Sequence, residues 1–190
     1  MIGVLGLQGD FAAHLRALEE LGVEGTVVKK PSEFEQVAGL ILPGGESTTL
    51  TKLMDSFELW APLQKFAASG KPVFGTCAGM IMLARQVTNP PQKSLGLIDL
   101  TVERNSYGRQ RESFEATGPF TPKDRPAVDI PMIFIRAPRI VELGDDVEAL
   151  ATCGDDTVMA RQQNVVVASF HPELTSDREV HRYFVEDMLN

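Results

Sequence analysis

The chain has 190 residues, of which 43% are hydrophobic, so it is long enough to bury one sizeable core. Its formal net charge of -8, from 26 acidic and 18 basic side chains, does not support a nucleic-acid partner, which would require a basic face. No apolar run approaches the ~20 residues that span a bilayer, and the amino end lacks the basic region of a signal peptide. We therefore expect a cytoplasmic protein with no membrane partner, folded as a single domain over residues 1–190.

Short apolar runs alternate with amphipathic segments along the chain, a pattern typical of β-strands alternating with α-helices. We predict strands over residues 2–7, 26–29, 40–42, 73–74 and 165–170, and helices over residues 11–21, 48–57, 59–68, 78–86 and 177–189. This order favours an α/β fold of flavodoxin-like type, with a mostly parallel central sheet and helices on both faces. Ser32 and Glu35 have the spacing of a capping box for a short helix between the second and third strands.

The pattern changes between residues 96 and 163, where short alternating runs are separated by turn signals. These runs predict a small antiparallel annex of strands beside the main sheet. The proline-rich stretches 89–93 and 119–131 are expected to be surface loops. Only two cysteines are present, Cys77 and Cys153, so a disulfide framework is not indicated, and Cys153 is expected to be inert.

The segment GTCAGM, residues 75–80, follows an apolar run and places Cys77 between two glycines. A turn of this kind between a strand and a helix holds its central side chain in a strained, exposed position, and only small residues fit on either side. A helix beginning at Ala78 would direct free N–H groups and its positive end at the sulfur, which favours the thiolate. We predict that Cys77 is a nucleophile; the alternative is a cysteine that packs as a small hydrophobic residue.

A thiolate nucleophile needs a base, and the chain has three histidines. His14 lies in the first predicted helix and His181 lies among charged residues of the last, so both are interpreted as solvated helix residues. His171 follows the strongest predicted strand, and residues past the carboxyl ends of parallel strands face the same crevice, so it would meet Cys77 there. Glu173 can turn back toward the imidazole and fix its tautomer. The predicted triad is Cys77, His171 and Glu173.

An acyl-transfer site also needs hydrogen-bond donors for an oxyanion. The sequence LILPGGESTT, residues 40–49, leads from an apolar strand through two glycines into a polar cluster that can cap the next helix. Because glycines let backbone N–H groups approach a ligand closely, the N–H groups of Gly45 and Ala78 could form an oxyanion hole. From these residues alone, an ordinary turn between strand and helix is an equal alternative.

Other functions are compatible with parts of the chain. Gly3, Gly6 and Gly9 could belong to a dinucleotide-binding turn, but the G-x-G opening is missing, and Lys29 stands where a ribose-binding acid is expected. A cysteine hydrolase or peptidase of similar α/β build could use the same turn around Cys77. A non-catalytic regulatory subunit could retain the fold, although the intact triad argues against it.

The motifs PGGEST, GTCAGM and SFHPE, in this order and at these distances, resemble those of the class I, triad-type glutamine amidotransferases. The segments IGVLGLQGDF, LILPGGESTT, VERNSYGRQ (residues 102–110) and FIRAP (residues 134–138) are further similar to the family of glutaminase subunits of pyridoxal 5'-phosphate synthase. The resemblance covers essentially the whole chain. It implies the class I glutamine amidotransferase fold and a glutaminase that releases ammonia from L-glutamine.

The resemblance also implies individual roles. Cys77 would be the nucleophile, His171 the base and Glu173 the acid that orients it. Glutamine binding is assigned to Gly45, Glu46, Ser47, Arg104, Ile135 and Arg136. This set suits free glutamine, because the two arginines can bind its α-carboxylate and the glutamate can bind its α-ammonium group.

The partner implied by the resemblance is the pyridoxal 5'-phosphate synthase subunit. That subunit is a (β/α)8 barrel enzyme that assembles into rings and condenses ammonia with a pentose phosphate and a triose phosphate. We expect the chain itself to need no cofactor and no metal, because the sequence has no cluster of His, Cys and Asp with ligand spacing. A glutaminase subunit that serves another amidotransferase, or a cysteine hydrolase of similar fold, is the alternative.

Overall fold

The structure of the chain is a computed structural model that describes residues 1–104, 113–123 and 125–189. The helices are α1 (Phe11–Glu20), α2 (Ser47–Ser56), α3 (Trp60–Ala68), α4 (Ala78–Leu83) and α5 (Glu179–Asp187), with short 3-10 helices at Pro31–Gln36 and Pro172–Leu174. The strands are β1 (Ile2–Leu5), β2 (Gly25–Val28), β3 (Gly39–Leu42), β4 (Val73–Thr76), β5 (Ala84–Thr88), β6 (Ile98–Glu103), β7 (Ser113–Phe120), β8 (Val128–Ile135), β9 (Arg139–Leu143), β10 (Glu148–Cys153), β11 (Asp156–Gln162) and β12 (Val165–Ala168).

Within the described ranges, nine strands form one sheet in the order β2-β1-β3-β4-β12-β11-β10-β7-β8. The first five strands of this order pair in parallel, and they are the five strands predicted from the apolar runs. The remaining four continue the sheet in antiparallel pairing. The predicted α/β class, with a parallel sheet at its centre, is confirmed.

Helices cover both faces of the parallel strands because successive side chains of a strand point to opposite faces. In β3, Leu40 and Leu42 pack into a core shared with α2, α3 and α4, whereas Ile41 packs into a second core shared with α1 and α5. All three side chains are fully buried, and burying each contributes about 1.5–3 kcal/mol. The predicted placement of helices on both faces is therefore confirmed.

The antiparallel strands are distributed differently from the prediction. A small second sheet is present, with the order β5-β6-β9, but β5 and β6 pair in parallel. Strands β7, β8, β10 and β11 instead extend the main sheet beyond β12, and β7 and β8 also occupy both ends of the stretch 119–131 predicted as a loop. Alternation of side chains identifies a strand and its buried face, but it does not identify the edge with which that strand pairs.

Two local predictions were wrong. The helix predicted over residues 78–86 ends at Leu83, and the chain continues as β5, because a short buried apolar run does not distinguish helix from strand. The capping box of the first 3-10 helix does not use Ser32 and Glu35. Pro31 is its first residue, and the carboxylate of Glu33 accepts hydrogen bonds from the N–H groups of Lys29 (2.6 Å) and Lys30 (2.9 Å).

In the part of the chain that the structure describes, no helix has the length and apolar character to cross a membrane.

Candidate active site

Cys77 occupies a sharp turn between β4 and α4. Its backbone has φ +48° and ψ -104°, and a positive φ is uncommon for a residue with a side chain. The N–H of Cys77 donates a hydrogen bond to the carbonyl oxygen of Ala168 in β12 at 2.8 Å, which fixes the turn against the neighbouring strand. Such strain persists only where the surrounding structure enforces it, and it is concentrated at functional sites.

The glycines on either side of Cys77 are required by packing. A Cβ atom on Gly75 would lie 2.7 Å from the carbonyl group of Gly79, and one on Gly79 would overlap the carbonyl oxygen of Leu42 in β3. No side chain fits at either position without moving backbone. The glycines therefore allow α4 to pack directly against β3 and β4 with Cys77 at its start, as the sequence pattern indicates.

His171 and Glu173 meet just beyond β12. The N–H of His171 donates to the carbonyl oxygen of Ile133 at 2.8 Å, and the 3-10 helix that follows turns Glu173 back, so that its Oε1 lies 2.8 Å from Nδ1 of His171. Burial disfavours the charged ring, but hydrogen bonds with Cys77 and Glu173 outweigh burial and raise the pKa of His171 to about 10. The structure thus brings the three predicted triad residues together, with an imidazolium facing Cys77.

A cavity of about 410 Å³ opens in front of Cys77. The predicted site residues that line it are Gly45, Glu46, Ser47, Cys77, Arg104, Ile135, Arg136 and His171. Glu173 lies behind His171 instead, and Ala78 is fully buried as the first residue of α4. The five other lining residues are Gly9, Asp10, Gly44, Ile81 and Leu174, and of these the sequence did not indicate Asp10, Ile81 and Leu174.

The loop from Gly44 to Glu46 is held from two sides. The N–H of Gly44 donates to Oγ1 of Thr76 at 3.1 Å, and a Cβ atom at Gly44 would collide with the ring of His171. Gly45 has φ +143°, and Gln8 packs so closely against it that a Cβ atom would lie 2.5 Å from the Gln8 amide. Oε1 of Gln8 accepts the N–H of Glu46 at 3.1 Å. Both positions therefore require glycine.

The carboxylate of Glu46 caps α2 and lies at the edge of the cavity. It accepts hydrogen bonds from the N–H groups of Thr48 (3.1 Å) and Thr49 (2.6 Å) and from the hydroxyl of Thr48 (2.5 Å). The bond from the hydroxyl of Thr48 has the largest effect, and together with the other hydrogen bonds from Thr48 and Thr49 it outweighs desolvation and lowers the pKa of Glu46 to about 2. The carboxylate is therefore ionised at neutral pH, and its orientation is set by the helix N-terminus.

Two arginines supply positive charge at the cavity. Arg136 directly follows β8 and has φ +44°, and Arg104 directly follows β6, with its N–H donating to the carbonyl oxygen of Thr88 at 3.1 Å. Neither guanidinium forms an ion pair with another described residue, so both are available to an anionic ligand. The rest of the predicted motif after Arg104, residues 105–110, lies outside the described residues.

The interpretation of His14 and His181 as solvated residues was wrong. Both are fully buried, and Nδ1 of His14 lies 2.9 Å from Nε2 of His181. Nε2 of His14 also lies 3.4 Å from Oε2 of Glu173 and 3.3 Å from Oγ1 of Thr76. A signal was available in the sequence, because His14 lies four residues before Leu18 and therefore shares its core-facing side of α1.

The remaining predictions concern metals and the second cysteine. Among residues 1–104, 113–123 and 125–189, no group of three or more His, Cys, Asp or Glu side chains is arranged to hold a metal ion. Cys153 is the last residue of β10, is half-buried and forms no disulfide. It does not line the cavity, so its position agrees with the expectation that it is not the nucleophile.

The chain is similar to known proteins over nearly its full length. It is 53% identical to the pyridoxal 5'-phosphate synthase subunit PdxT of Geobacillus kaustophilus, over 97% of this chain and 92% of the relative. It is 51% identical to the subunit of the same name from Kosmotoga olearia, over 99% and 97%. A crystal structure of a glutamine amidotransferase superposes with a TM-score of 0.90, at 45% identity over 97% of both chains.

More distant structures share the fold alone. PurLQS of Thermotoga maritima superposes with a TM-score of 0.74 at 16% identity, over 98% of this chain and 97% of that one.

The model of the SNO glutamine amidotransferase family matches residues 4–190, nearly the full length, in agreement with the motifs around Cys77 and His171. With this match and relatives more than 50% identical, the chain belongs to the SNO glutamine amidotransferase family.

Proposed function

We propose that this chain is the glutaminase subunit of a pyridoxal 5'-phosphate synthase, acting as one cytoplasmic glutaminase domain. It hydrolyses L-glutamine to L-glutamate and ammonia and delivers the ammonia to the synthase subunit. The observation that carries the proposal is Cys77, strained at φ +48°, opening into the same cavity as His171, whose Nδ1 lies 2.8 Å from Glu173. The names of the relatives from Geobacillus kaustophilus and Kosmotoga olearia support the choice of synthase.

The first half-reaction releases ammonia. The thiolate of Cys77 attacks the side-chain amide carbon of glutamine, and an S–C bond forms while the carbonyl oxygen becomes an oxyanion. The N–H groups of Gly45 and Ala78 stabilise that oxyanion. As the C–N bond breaks, protonated His171 gives its proton to the departing nitrogen, which leaves as ammonia. A γ-glutamyl thioester remains on Cys77.

The second half-reaction restores the site. Neutral His171 takes a proton from a water molecule as the water adds to the thioester carbonyl. The C–S bond then breaks, glutamate is released, and the thiolate again faces an imidazolium. The carboxylate of Glu173 keeps the Nδ1 proton of His171 in place throughout, and the raised pKa of His171 supports the imidazolium form of its ring.

The other predicted residues hold glutamine in position. Arg104 and Arg136 supply positive charge for its α-carboxylate. The α-ammonium group is bound at the side of the cavity formed by Glu46 and Ser47, where the carboxylate is ionised. Ile135 lines the cavity beside Cys77, and its carbonyl oxygen lies 4.0 Å from Sγ of Cys77.

The partner is the (β/α)8 synthase subunit, which assembles into a ring, and we propose that glutamine hydrolysis depends on it. Ammonia that escaped into bulk water would be protonated and lost to the synthase. Gly9, Gly44 and Gly45 lie together at the carboxyl edge of the parallel strands, where an acceptor can dock. Because glycine peptide planes rotate with little steric cost, contacts there can set the Gly45 N–H toward the oxyanion.

The test is an assay of glutamate release by the isolated chain and by the chain with added synthase subunit. We expect the partner to accelerate hydrolysis by about a hundred- to a thousand-fold, the effect of one oxyanion donor. An isolated chain that already works at the full rate of the complex would refute the coupling. Absence of glutamate release in both conditions would refute the glutaminase itself.

A further inference from the structure

A line of four buried polar side chains runs from the nucleophile into the core. His171 contacts Cys77 and places its Nδ1 2.8 Å from Oε1 of Glu173. Oε2, the second oxygen of this carboxylate, is 3.4 Å from Nε2 of His14, and Nδ1 of His14 is 2.9 Å from Nε2 of His181. The Glu173 side chain is 1% exposed and the side chain of His14 is completely buried. The proposed mechanism uses only one end of this line.

Oε2 of Glu173 has no hydrogen-bond partner among the described residues, and Nε2 of His14 lies 3.4 Å from it. Because an ionised carboxylate only accepts, we assign the ring proton of His14 to Nε2, the nitrogen that faces Oε2. Burial, with repulsion from the other two histidines, holds the pKa of His14 well below its usual value, so the ring is neutral. Nδ1 of His14 is then an acceptor, and His181 donates to it from Nε2. This order leaves the lone pair on Nδ1 of His181, the atom that has no partner among the described residues.

His14 also touches the support of the glycine loop. Its Nε2 is 3.3 Å from Oγ1 of Thr76, and the same oxygen accepts the N–H of Gly44 at 3.1 Å. One nitrogen of His14 therefore lies between the acid of the triad and the residue that fastens Gly44. A carboxylate oxygen that is buried without water is unfavourable unless a donor faces it. A neutral N–H stabilises that oxygen without adding a second positive charge beside Glu173, so the ion pair with His171 is kept.

We propose that His14 is a positioning residue for the triad: it holds the carboxylate of Glu173, through Oε2, in the orientation that aligns His171 with Cys77. His181 fixes the tautomer that His14 needs for this. His14 does not line the cavity, so it acts through Glu173 rather than on the substrate. For catalysis, this inference rests on the proposed glutaminase function.

The first experiment compares two variants of the chain in complex with the synthase subunit. His14→Phe keeps a ring against Phe74 but removes both nitrogens. We expect kcat for glutamine to fall about ten- to a hundred-fold, the effect of a small misplacement of a catalytic group, with KM little changed. His14→Gln retains an N–H that can face Glu173, and it should recover most of the lost kcat. Unchanged kcat in His14→Phe would overturn the proposal.

Two further comparisons separate positioning from loss of stability. Leu18→Ala removes a fully buried side chain one turn further along the same helix, and we expect it to destabilise the chain without lowering kcat. In a Glu173→Gln background, His14→Phe should lower kcat much less than it does in the wild-type chain. Both substitutions disturb the orientation of His171, so their effects should not add. The positioning role would be contradicted if His14→Phe lowered kcat equally in the wild-type and Glu173→Gln chains. It would also be contradicted if Leu18→Ala lowered kcat as much as His14→Phe does.

A measurement that needs no glutamine keeps this inference separate from the proposed function. In a Cys153→Ser background, the rate at which iodoacetamide alkylates Cys77 reports how well His171 stabilises the reactive thiolate. We expect His14→Phe to slow alkylation at neutral pH and His14→Gln to restore it. Equal rates in all three proteins would overturn the positioning role even if glutamine is hydrolysed. A slow rate confined to His14→Phe would support the role even if no glutamate were formed.

Discussion

Nδ1 of His14 lies 2.9 Å from Nε2 of His181, and this buried contact joins α1 to α5 on one face of the sheet. Burial lowers the pKa of His14 well below its ordinary value and, with the positive charge of Arg178, lowers that of His181 to about 3. Unfolded histidines bind protons below about 6.5, whereas these folded ones stay neutral. Their stabilising contribution is therefore complete above about pH 6.5 and is lost as the pH falls toward about 3.

The first prediction follows from the lowered pKa values of His14 and His181. The free energy of unfolding should fall on acidification by up to about 1.4 kcal/mol per pH unit for each histidine, in addition to the contribution of other groups. Urea denaturation across the range from neutral to acidic pH measures the slope. His181→Phe, which does not bind a proton in either state, should reduce that slope, and an unchanged slope would contradict the assignment of a neutral buried ring.

The second prediction concerns the nucleophile. Cys77→Ala should abolish glutamate release in the presence of the synthase subunit and leave the fold intact, because alanine fits the turn but cannot form a thioester. Circular dichroism and the assay on the same sample check both parts. Cys153→Ala, at the half-buried end of β10, should be nearly silent. Substantial activity in Cys77→Ala, or a comparable loss in Cys153→Ala, would end the assignment.

The third prediction separates the base from its orienting acid. His171→Asn should be as damaging as loss of Cys77, because it removes the group that moves the proton. Glu173→Gln should reduce turnover by a smaller but still large factor, since the base is mispositioned rather than removed. Steady-state kinetics on the two variants in complex with the partner provide the comparison. A near-wild-type rate for Glu173→Gln would show that another group orients His171.

A fourth prediction concerns the alkaline limb of the pH profile. The raised pKa of His171 means that its imidazolium is present below about 10, so kcat/KM for glutamine should fall as the pH rises through that value. Since hydrogen bonding to Glu173 helps raise this pKa, Glu173→Gln should move the limb to lower pH. A limb at the same pH in both proteins would mean that His171 does not control it.

The fifth prediction concerns the cap at the edge of the cavity. Glu46→Ala removes the acceptor for the N–H groups of Thr48 and Thr49, so the free energy of unfolding should fall by about 1 kcal/mol. Aspartate is also a good N-cap, so Glu46→Asp should retain most of the stability. Thermal denaturation of the three proteins gives the comparison. An Ala variant as stable as the wild type would show that the cap contributes little.

Much of the site could be predicted from the sequence because its chemistry is local. Gly75 and Gly79 lie within two residues of Cys77, and the clash that a Cβ on Gly75 would cause is with Gly79 in the same turn. The clash at Gly79 is instead with Leu42 of β3, so the need for that glycine depends on tertiary packing. The contact between Glu173 and His171 is also local, because one short helical turn brings the two side chains together. Where the necessary geometry extends over a few residues, the residue types alone constrain it.

The apolar runs and glycine motifs were thus enough to predict the parallel strands, the turn around Cys77 and the pair that follows β12. The sequence did not predict that His14 and His181, 167 residues apart, meet behind Glu173, or that β7, β8, β10 and β11 join the main sheet. Periodicity indicates which face of an element is buried, whereas the partner buried against that face depends on how distant elements pack.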